Sequence, residues 1–426
     1  MRPSNRFLLE RALGAAATAT ALRPLDRYGP GAPIAFVTGL PTSEMPMQTM
    51  AVQAVTGVLA ARRGGVRNVR GALGLALTAA SFRGLWQLHR DAQATGDVLE
   101  AALQDDLGPG YRTRITEPFT PLPDVPLTRR ALLVPDLRQT RRYVVAGNVA
   151  YGEFGRRNSL DVLRRADLPA DAGAPVLLQV HGGAWVMGQK RGQAQPLMAH
   201  LAERGWVCVA INYRLSPRSS WPDHIVDVKR AIAWIRETIE QHGGDPSFLA
   251  ITGGSAGGHL AALAALTPDV AAFQPGFEDA DTSVAAAVPF YGVYDFTNRD
   301  GTANPRLAPL LERSVFKTPL ADDRERYDQA SPMSHVRPDA PPCFVLHGTN
   351  DTVVPVEQAR SFAGLLRSAS LQPVVYGELP RAQHAFDVFP SVRTHHTVHA
   401  VERFLAVVRS EHGGATPAEA VTSDRV

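Results

Sequence analysis

Residues 248–266 read FLAITGGSAGGHLAALAAL, and this stretch decides the fold that the sequence predicts. A short apolar run, typical of a buried strand, leads into the glycines, and an apolar helical run follows them. Ser255 lies between Gly253 and Gly257, each two residues away. A serine in a sharp turn between strand and helix needs small residues at both positions, and its hydroxyl is then exposed above the sheet. The pattern therefore predicts that Ser255 is a nucleophile, the alternatives being a glycine-rich phosphate loop and a plain tight turn.

A second glycine motif, HGGAW at residues 181–185, ends the apolar run APVLLQV. Glycines let the backbone come close to a reacting carbonyl group, as acyl transfer requires. We therefore expect the N–H groups of Gly182 and Gly183, together with that of Ala256 after the serine, to hold the oxyanion. His181 belongs to the same loop and is expected to orient it rather than to act as a base. The alternative is a turn without function.

A serine needs a base to take its proton, and the base needs an acid to orient it. Downstream of Ser255, the candidate acid is Asp351 in CFVLHGTNDTVVPV and the candidate base is His384 in LPRAQHAFDVF. The order Ser, Asp, His is the one that this kind of strand-to-helix serine uses. Asp295 in GVYDF is the second choice for the acid. Asp387 is only three residues from His384, too close to orient it in the usual way.

From about Arg141 onward, short apolar runs alternate with helical runs. The clearest helix is HIVDVKRAIAWIRETIEQHGG at residues 224–244, which has one apolar stripe. Seven candidate strands lie between residues 142 and 379. Such alternation predicts an α/β fold with a mostly parallel central sheet flanked by helices.

The chain contains five features of one known family: HGGAW (181–185), NYRLSP (212–217), GGSAGG (253–258), HGTNDTVVP (347–355) and the late His384. Together they resemble the α/β-hydrolase superfamily, specifically the carboxylesterases related to hormone-sensitive lipase. As a whole, the chain resembles the actinobacterial, including mycobacterial, Lip-type carboxylesterases that carry an N-terminal extension. The resemblance implies the α/β-hydrolase fold, with a helical N-terminal segment added to it.

Two departures from the hormone-sensitive-lipase pattern affect the expected substrate class. Ala184 stands where that pattern has a third glycine, and Gly254 stands where it has an aspartate before the nucleophile. Both changes bring the chain nearer to the feruloyl-esterase and kynurenine-formamidase side of the superfamily.

The predicted function is that of a serine carboxylesterase, which hydrolyses carboxylic esters through a Ser-His-Asp triad and an acyl-enzyme intermediate. The expected substrate is a small-molecule or lipid ester with a short to medium acyl chain. An amidase or peptidase, formamidase-like or prolyl-oligopeptidase-like, is the alternative, and a non-catalytic relative is a third hypothesis. No cofactor and no metal is expected, because the histidines lack metal-binding spacing. The expected pocket walls are Trp185, Tyr213, Tyr291 and Phe386.

The N-terminal part differs from the rest in charge. The whole chain of 426 residues has a formal net charge of +3, too weak to indicate a nucleic-acid partner. Residues 1–90, however, contain 11 Arg and no Lys against three acidic residues, a net charge of +8. Two uncharged stretches, 45–61 and 71–82, flank RRGGVRNVR. They predict a helical hairpin that lies in or on a membrane, or that packs against the enzyme as a cap.

The predicted organisation therefore has four parts. A basic, apolar helical segment (1–117), either a cap or membrane-associated, precedes a Pro-rich linker (118–140). The α/β-hydrolase catalytic domain (141–410) is followed by a disordered tail (411–426). If residues 1–90 contact a membrane surface, the protein is expected to be membrane-associated or in the cell envelope, and otherwise cytoplasmic. Nothing in the sequence indicates an oligomeric state.

Overall fold

The computed structural model describes residues 2–116 and 139–414. Nearly all of the predicted Pro-rich linker, 118–140, lies outside these residues. The last helix continues to Gly414, four residues into the range for which a tail was predicted. The rest of that range also lies outside the described residues.

Eight strands form one central sheet in the order β1-β2-β4-β3-β5-β6-β7-β8. The pairs β1/β2 and β2/β4 are antiparallel, and every other pair is parallel, as the sequence predicts for most of the sheet. The strands are β1 Val144–Ala150, β2 Ser159–Leu163, β3 Ala174–Val180, β4 Val207–Ile211, β5 Gly244–Gly254, β6 Ala286–Phe290, β7 Cys343–Gly348 and β8 Val374–Leu379.

All seven candidate strands are present, and the eighth, β2, is the one that the sequence pattern does not reveal. Its middle residue is Asp161, which interrupts the apolar pattern of a buried strand. The carboxylate of Asp161 is buried because it pairs with Lys190 Nζ at 3.0 Å and with Arg191 Nε at 2.5 Å. The ion pairs provide the compensation that a buried charge requires.

Among the described residues, ten α-helices have seven residues or more. The helix expected around residues 224–244 is present as α6, and its apolar stripe is fully buried. The helices are α1 Pro3–Leu22, α2 Ala32–Glu44, α3 Pro46–Arg62, α4 Val69–Leu107, α5 Gln195–Glu203, α6 Asp223–Thr238, α7 Ala256–Leu266, α8 Arg324–Ala330, α9 Val356–Ala369 and α10 Val392–Gly414.

Helix α4 extends far beyond the uncharged stretch 71–82 and has 39 residues. It begins where the Asn68 side chain accepts a hydrogen bond from the Gly71 N–H, and it ends at Gly108, whose φ is +91°. Two glycines within it allow close packing of α1. A Cβ on Gly74 would lie 2.6 Å from Phe7, and one on Gly84 would lie 2.6 Å from Thr18.

The C-terminal half of α4 is part of the core around the central sheet. Leu99, Leu103 and Leu107 are buried in one apolar cluster with residues of the sheet and of α10. Strand β8 approaches α4 so closely that a Cβ on Gly377 would lie 2.6 Å from Leu99 Cδ2. The end of α4 therefore packs against the central sheet. In the part of the chain that the structure describes, no helix has both the length and the apolar character needed to cross a bilayer.

Candidate active site

Ser255 lies in the tight turn between β5 and α7, as predicted. Its φ of +59° and ψ of −122° are a strained conformation for a residue with a side chain. A Cβ on Gly253 would lie 2.5 Å from the Gly257 backbone, and one on Gly257 would lie 2.1 Å from Val180 O. Only glycines allow this close approach of strand and helix. Ser255 is partly exposed, so its hydroxyl is accessible.

Tyr291 explains why Gly254 departs from the hormone-sensitive-lipase pattern. A Cβ on Gly254 would lie 2.5 Å from the Tyr291 hydroxyl and 2.9 Å from its ring, so an aspartate has no room there. The Tyr291 ring also lies 4.7 Å from the ring of His384, between centroids. Tyr291 thus lies against both the turn that carries Ser255 and the ring of His384.

Asp351 and His384 are in direct contact. Asp351 Oδ2 accepts a hydrogen bond from His384 Nδ1 at 2.7 Å, while Oδ1 accepts from the N–H groups of Val353 and Val354, both at 2.8 Å. Asp351 is 1% exposed, and burial alone would raise its pKa. The neighbouring His384 and His347, which also hydrogen-bond the carboxylate, outweigh burial and hold the pKa of Asp351 well below its ordinary value.

The backbone around the candidate base is fixed by Gln383. Its side-chain Oε1 accepts from the His384 N–H at 2.8 Å and from the Thr352 N–H at 2.9 Å, which ties the two loops together. Ser255 and His384 both lie in the described part of the chain, and no hydrogen bond joins Ser255 Oγ to His384 Nε2. Contacts of this kind are often long in the absence of substrate.

Helix α2 covers the candidate base from the N-terminal side. The ring of Phe36 meets that of His384 edge-on, with 6.0 Å between centroids. At the start of the same helix, Ala32 O lies 3.5 Å from Thr352 Oγ1. Phe36 is a site neighbour that the sequence gives no sign of, because over 340 residues separate it from His384.

The loop after β3 requires one correction to the predicted oxyanion donors. The Gly182 N–H donates to Gln193 Oε1 at 2.6 Å, so it is already engaged. Gly182 instead allows close approach, because a Cβ there would lie 3.2 Å from Ser255 Cβ. The N–H groups of Gly183 and Ala256, and that of Ala184, have no hydrogen-bond partner among the described residues. These three N–H groups are therefore available as donors, and that of Ala256 directly follows the serine.

Ala184 has a left-handed backbone conformation, which favours the glycine that the hormone-sensitive-lipase pattern has at this position. Its φ is +51°, and that of the following Trp185 is +62°. The ring of His181 stacks on that of Tyr213, with 4.3 Å between centroids, and its Nδ1 lies 2.8 Å from Gly182 O. Burial lowers the pKa of His181 to about 4.

The four aromatic residues expected to form pocket walls are all buried, at 0–3% exposed. Trp185 Nε1 donates to His259 Nδ1, and Tyr213 OH donates to His181 O. Tyr291 OH donates to Asp387, and Phe386 packs against Tyr291. Aromatic side chains bury their rings readily when the polar group finds a partner.

Asp295 and Asp387, the other aspartates considered near the base, have partners of their own. Asp295 accepts from the N–H groups of Thr297 and Arg299 and from the Arg299 guanidinium at 3.0 Å. The carboxylate of Asp387 is occupied by Tyr291, and burial raises its pKa. Of the three aspartates, Asp351 is the one bonded to His384.

One group among the described residues has metal-ligand chemistry. Ligand atoms of His200, His399 and Glu402 lie within 4.8 Å of one another. Glu402 already bonds His200 Nε2 at 2.7 Å and Arg204 Nε at 2.5 Å, and the guanidinium opposes a divalent cation. The group links α5 to α10. Its His399 is buried, at 3% exposed.

Comparisons with known proteins agree with this geometry. The BD-FAE family model matches residues 160–366. The probable carboxylic ester hydrolase LipM of Mycobacterium tuberculosis is 52% identical over 97% of this chain and 96% of its own length. The esterase LipQ of the same organism is 48% identical over 76% of this chain and 77% of its own. The propionate-bound structure of esterase Est2 from Thermogutta terrifontis is 26% identical, with a TM-score of 0.53 over 64% of this chain and 97% of that one.

Proposed function

The chain belongs to the family of carboxylic ester hydrolases that includes LipM and LipQ, and we propose that it cleaves esters through Ser255, His384 and Asp351 by way of an acyl-enzyme. The resemblance to Lip-type carboxylesterases that its motifs predict is thereby confirmed. The observation that carries the proposal is the hydrogen bond between His384 Nδ1 and Asp351 Oδ2, formed beside the strained turn that presents Ser255.

In the first step, His384 Nε2 takes the proton of Ser255 Oγ as Oγ attacks the ester carbonyl carbon. Asp351 holds the Nδ1–H of His384, so that Nε2 is free to accept, and it stabilises the imidazolium that forms. The low pKa of Asp351 supports this role, because the carboxylate stays ionised throughout.

The tetrahedral intermediate bears a negative oxygen, which the N–H groups of Gly183, Ala184 and Ala256 would hold. Donors fixed in the backbone need no reorganisation as the charge develops. Ala256 is the first residue of α7, and the helix N-terminus also favours negative charge there.

Collapse of the intermediate breaks the bond to the alcohol oxygen, and the imidazolium of His384 gives that oxygen its proton. A water molecule, deprotonated by His384, then attacks the acyl-enzyme. The second tetrahedral intermediate releases the carboxylic acid, and the proton returns to Ser255 Oγ. No metal or cofactor is required for these steps.

We further propose that the acyl chains are short to medium. The support is the likeness to the Thermogutta esterase, whose structure holds propionate. Phe36 also covers His384, which leaves less space for an acyl chain on that side of the site. A series of p-nitrophenyl esters of increasing acyl length tests this preference, and maximal kcat/KM on long acyl chains would contradict it.

The decisive test of the mechanism is Ser255→Ala. It should abolish turnover of p-nitrophenyl acetate and labelling by a fluorophosphonate probe, while the circular dichroism spectrum stays that of the wild type. A pure variant that still hydrolyses the ester at the wild-type rate would overturn the proposal. Comparing each ester with its anilide and formamide analogues tests the amidase alternative, which predicts preference for the amides.

A further inference from the structure

Helix α3 has an unusual surface for a helix that faces water. No charged side chain occurs from residue 45 to residue 61, and only Pro46 and Gln53 of the helix are buried. Val52 is 63% exposed and Val55 60% exposed. A surface helix normally carries polar or charged residues on the side that faces solvent.

The first half of α4 continues this surface. Between Arg70 and Arg83 there is no charged residue, yet Leu73 is 52% exposed and Leu75 is 49% exposed. Helices α3 and α4 contact each other, with the turn at residues 63–68 between them. We call residues 46–82 the α3–α4 hairpin.

Exposed apolar side chains are concentrated in this part of the molecule. Of the 18 large apolar residues that are exposed in the described chain, 13 lie in the first 90 residues. Single exposed apolar residues need no explanation, but a concentration of them marks a contact surface.

All the charged residues between positions 45 and 90 are positive. Residues 45–90 contain six arginines and no acidic residue, and Arg62, Arg63, Arg67 and Arg70 are exposed around the hairpin turn. In a symmetric dimer the same patch meets itself, so these arginines would face one another without an acidic partner from the segment. An anionic bilayer supplies both negative headgroups and an apolar layer.

We propose that the α3–α4 hairpin docks the protein on the surface of an anionic lipid bilayer. The arginines of the turn lie among the headgroups, and the exposed valines and leucines enter the boundary with the acyl chains. Because no described helix can span the bilayer, the hairpin lies on the surface rather than crossing it.

The hairpin is continuous with the cover of the candidate active site. Only Met45 separates α3 from α2, and α2 places Phe36 against His384. On the outer side of α2, Ile34 is 69% exposed and Val37 is 67% exposed. Docking therefore brings the site to the lipid surface, and its substrates would be esters dissolved in the bilayer. This second step rests on the proposed function.

Flotation of the full chain with vesicles tests the docking step. We expect binding to vesicles of phosphatidylglycerol mixed with phosphatidylcholine, weaker binding to phosphatidylcholine alone, and loss of binding at high salt. The variants Val52→Asp/Val55→Asp and Arg62→Gln/Arg63→Gln/Arg67→Gln should each lower the partition coefficient by about tenfold or more. Leu371→Asp, at an exposed leucine far from the hairpin in sequence, is the matched control and should bind like the wild type.

All these side chains are exposed, so hydrolysis of soluble p-nitrophenyl acetate should be unchanged and reports correct folding. Wild-type protein that does not float with anionic vesicles, or a valine variant that floats equally well, would overturn the proposal. So would light scattering that shows a wild-type dimer and a monomeric valine variant, because the hairpin would then be a protein interface. Ser255→Ala should still float, which separates failure of docking from failure of the proposed function.

Discussion

Glu44 and Arg393 form an ion pair in which neither side chain is exposed to solvent. Arg393 Nε donates to Glu44 Oε1 at 3.0 Å, and Ser391 Oγ donates to Glu44 Oε2 at 2.8 Å. The pair joins the end of α2 to the start of α10. It therefore links the N-terminal helices to the catalytic domain at a point close to the loop that carries His384.

Glu44→Gln should destabilise the protein by about 3–5 kcal/mol, because it leaves the buried Arg393 guanidinium without its counter-charge. Urea unfolding followed by circular dichroism measures the change in the free energy of unfolding. Glu357→Gln is the control, since its ion pair with Arg360 is exposed, and it should cost less than about 1 kcal/mol. Equal losses for the two variants would show that the Glu44 pair contributes no more than a surface pair.

Removing residues 1–138 should prevent the catalytic domain from folding stably. The truncation uncovers the apolar surface of β8 and α10 that Leu99, Leu103 and Leu107 bury. Each buried leucine contributes about 1.5–3 kcal/mol, a large share of a domain's net stability. Gel filtration and near-ultraviolet circular dichroism should reveal aggregated or loosely packed protein. A monomeric truncated chain with full esterase activity would contradict the expectation.

Asp351→Asn should lower kcat by about 10⁴-fold, because an amide no longer holds His384 in the tautomer that accepts a proton at Nε2. The stability of the variant is measured alongside its kinetics, since Asp351 is buried. Asp295→Asn is the matched control, because Asp295 is equally buried but bonds Thr297 and Arg299. If Asp295→Asn lost as much activity as Asp351→Asn, assigning the acid to Asp351 would be wrong.

The parts of the site that the sequence predicts are those with a local pattern. Ser255 is identified by glycines two residues away on either side, and Asp351 and His384 each follow a recognisable strand. Gln193 and Gln383 leave no such trace, because each accepts a hydrogen bond from a backbone N–H, of Gly182 and of Thr352 respectively, that only the folded chain brings near.

Burial is harder to predict than position when a polar residue is involved. Strand β2 is not recognised in the sequence, because Asp161 gives it a charged residue in its middle. The burial of Asp161 depends on ion pairs with Lys190 and Arg191, which lie in a loop about 30 residues away. His399 reads as a surface residue but is buried, because α10 is covered on nearly all sides from residue 398 to 408. The aromatic residues near the motifs can be found in the sequence, but their burial depends on partners such as His259 and Asp387 that lie far along the chain.

Tyr291→Phe should destabilise the protein by about 1–3 kcal/mol, because the buried Asp387 carboxyl loses its hydrogen-bond donor. Replacing both partners, as in Tyr291→Phe/Asp387→Leu, should restore much of the lost free energy of unfolding, since no unsatisfied polar group then remains. Chemical denaturation of the wild type, both single variants and the double variant provides the cycle. Additive losses in the double variant would show that the two side chains are not coupled.

Stability should fall as the pH is lowered from about 6.5 toward 4. Burial lowers the pKa of His181 and His259 to about 4 and is the main cause that lowers that of His224 to about 3. In the unfolded chain all three protonate near pH 6.5, whereas the folded protein keeps them neutral. The unfolded state then binds more protons, so the free energy of unfolding decreases by up to about 1.4 kcal/mol per pH unit for each histidine. Above pH 6.5 both states are neutral and these groups contribute no slope.

Urea midpoints measured between pH 7.5 and pH 4 test this dependence. His224→Gln keeps a polar group beside Ser216 but removes one titrating side chain, so its midpoint should fall less steeply than that of the wild type. The pH range separates the buried histidines from Asp351, because the lowered pKa of Asp351 makes its contribution to stability disappear only as the pH falls below the ordinary range of a carboxyl group. A slope in His224→Gln identical to that of the wild type between pH 6.5 and pH 4 would therefore exclude His224 as a source of the acid sensitivity.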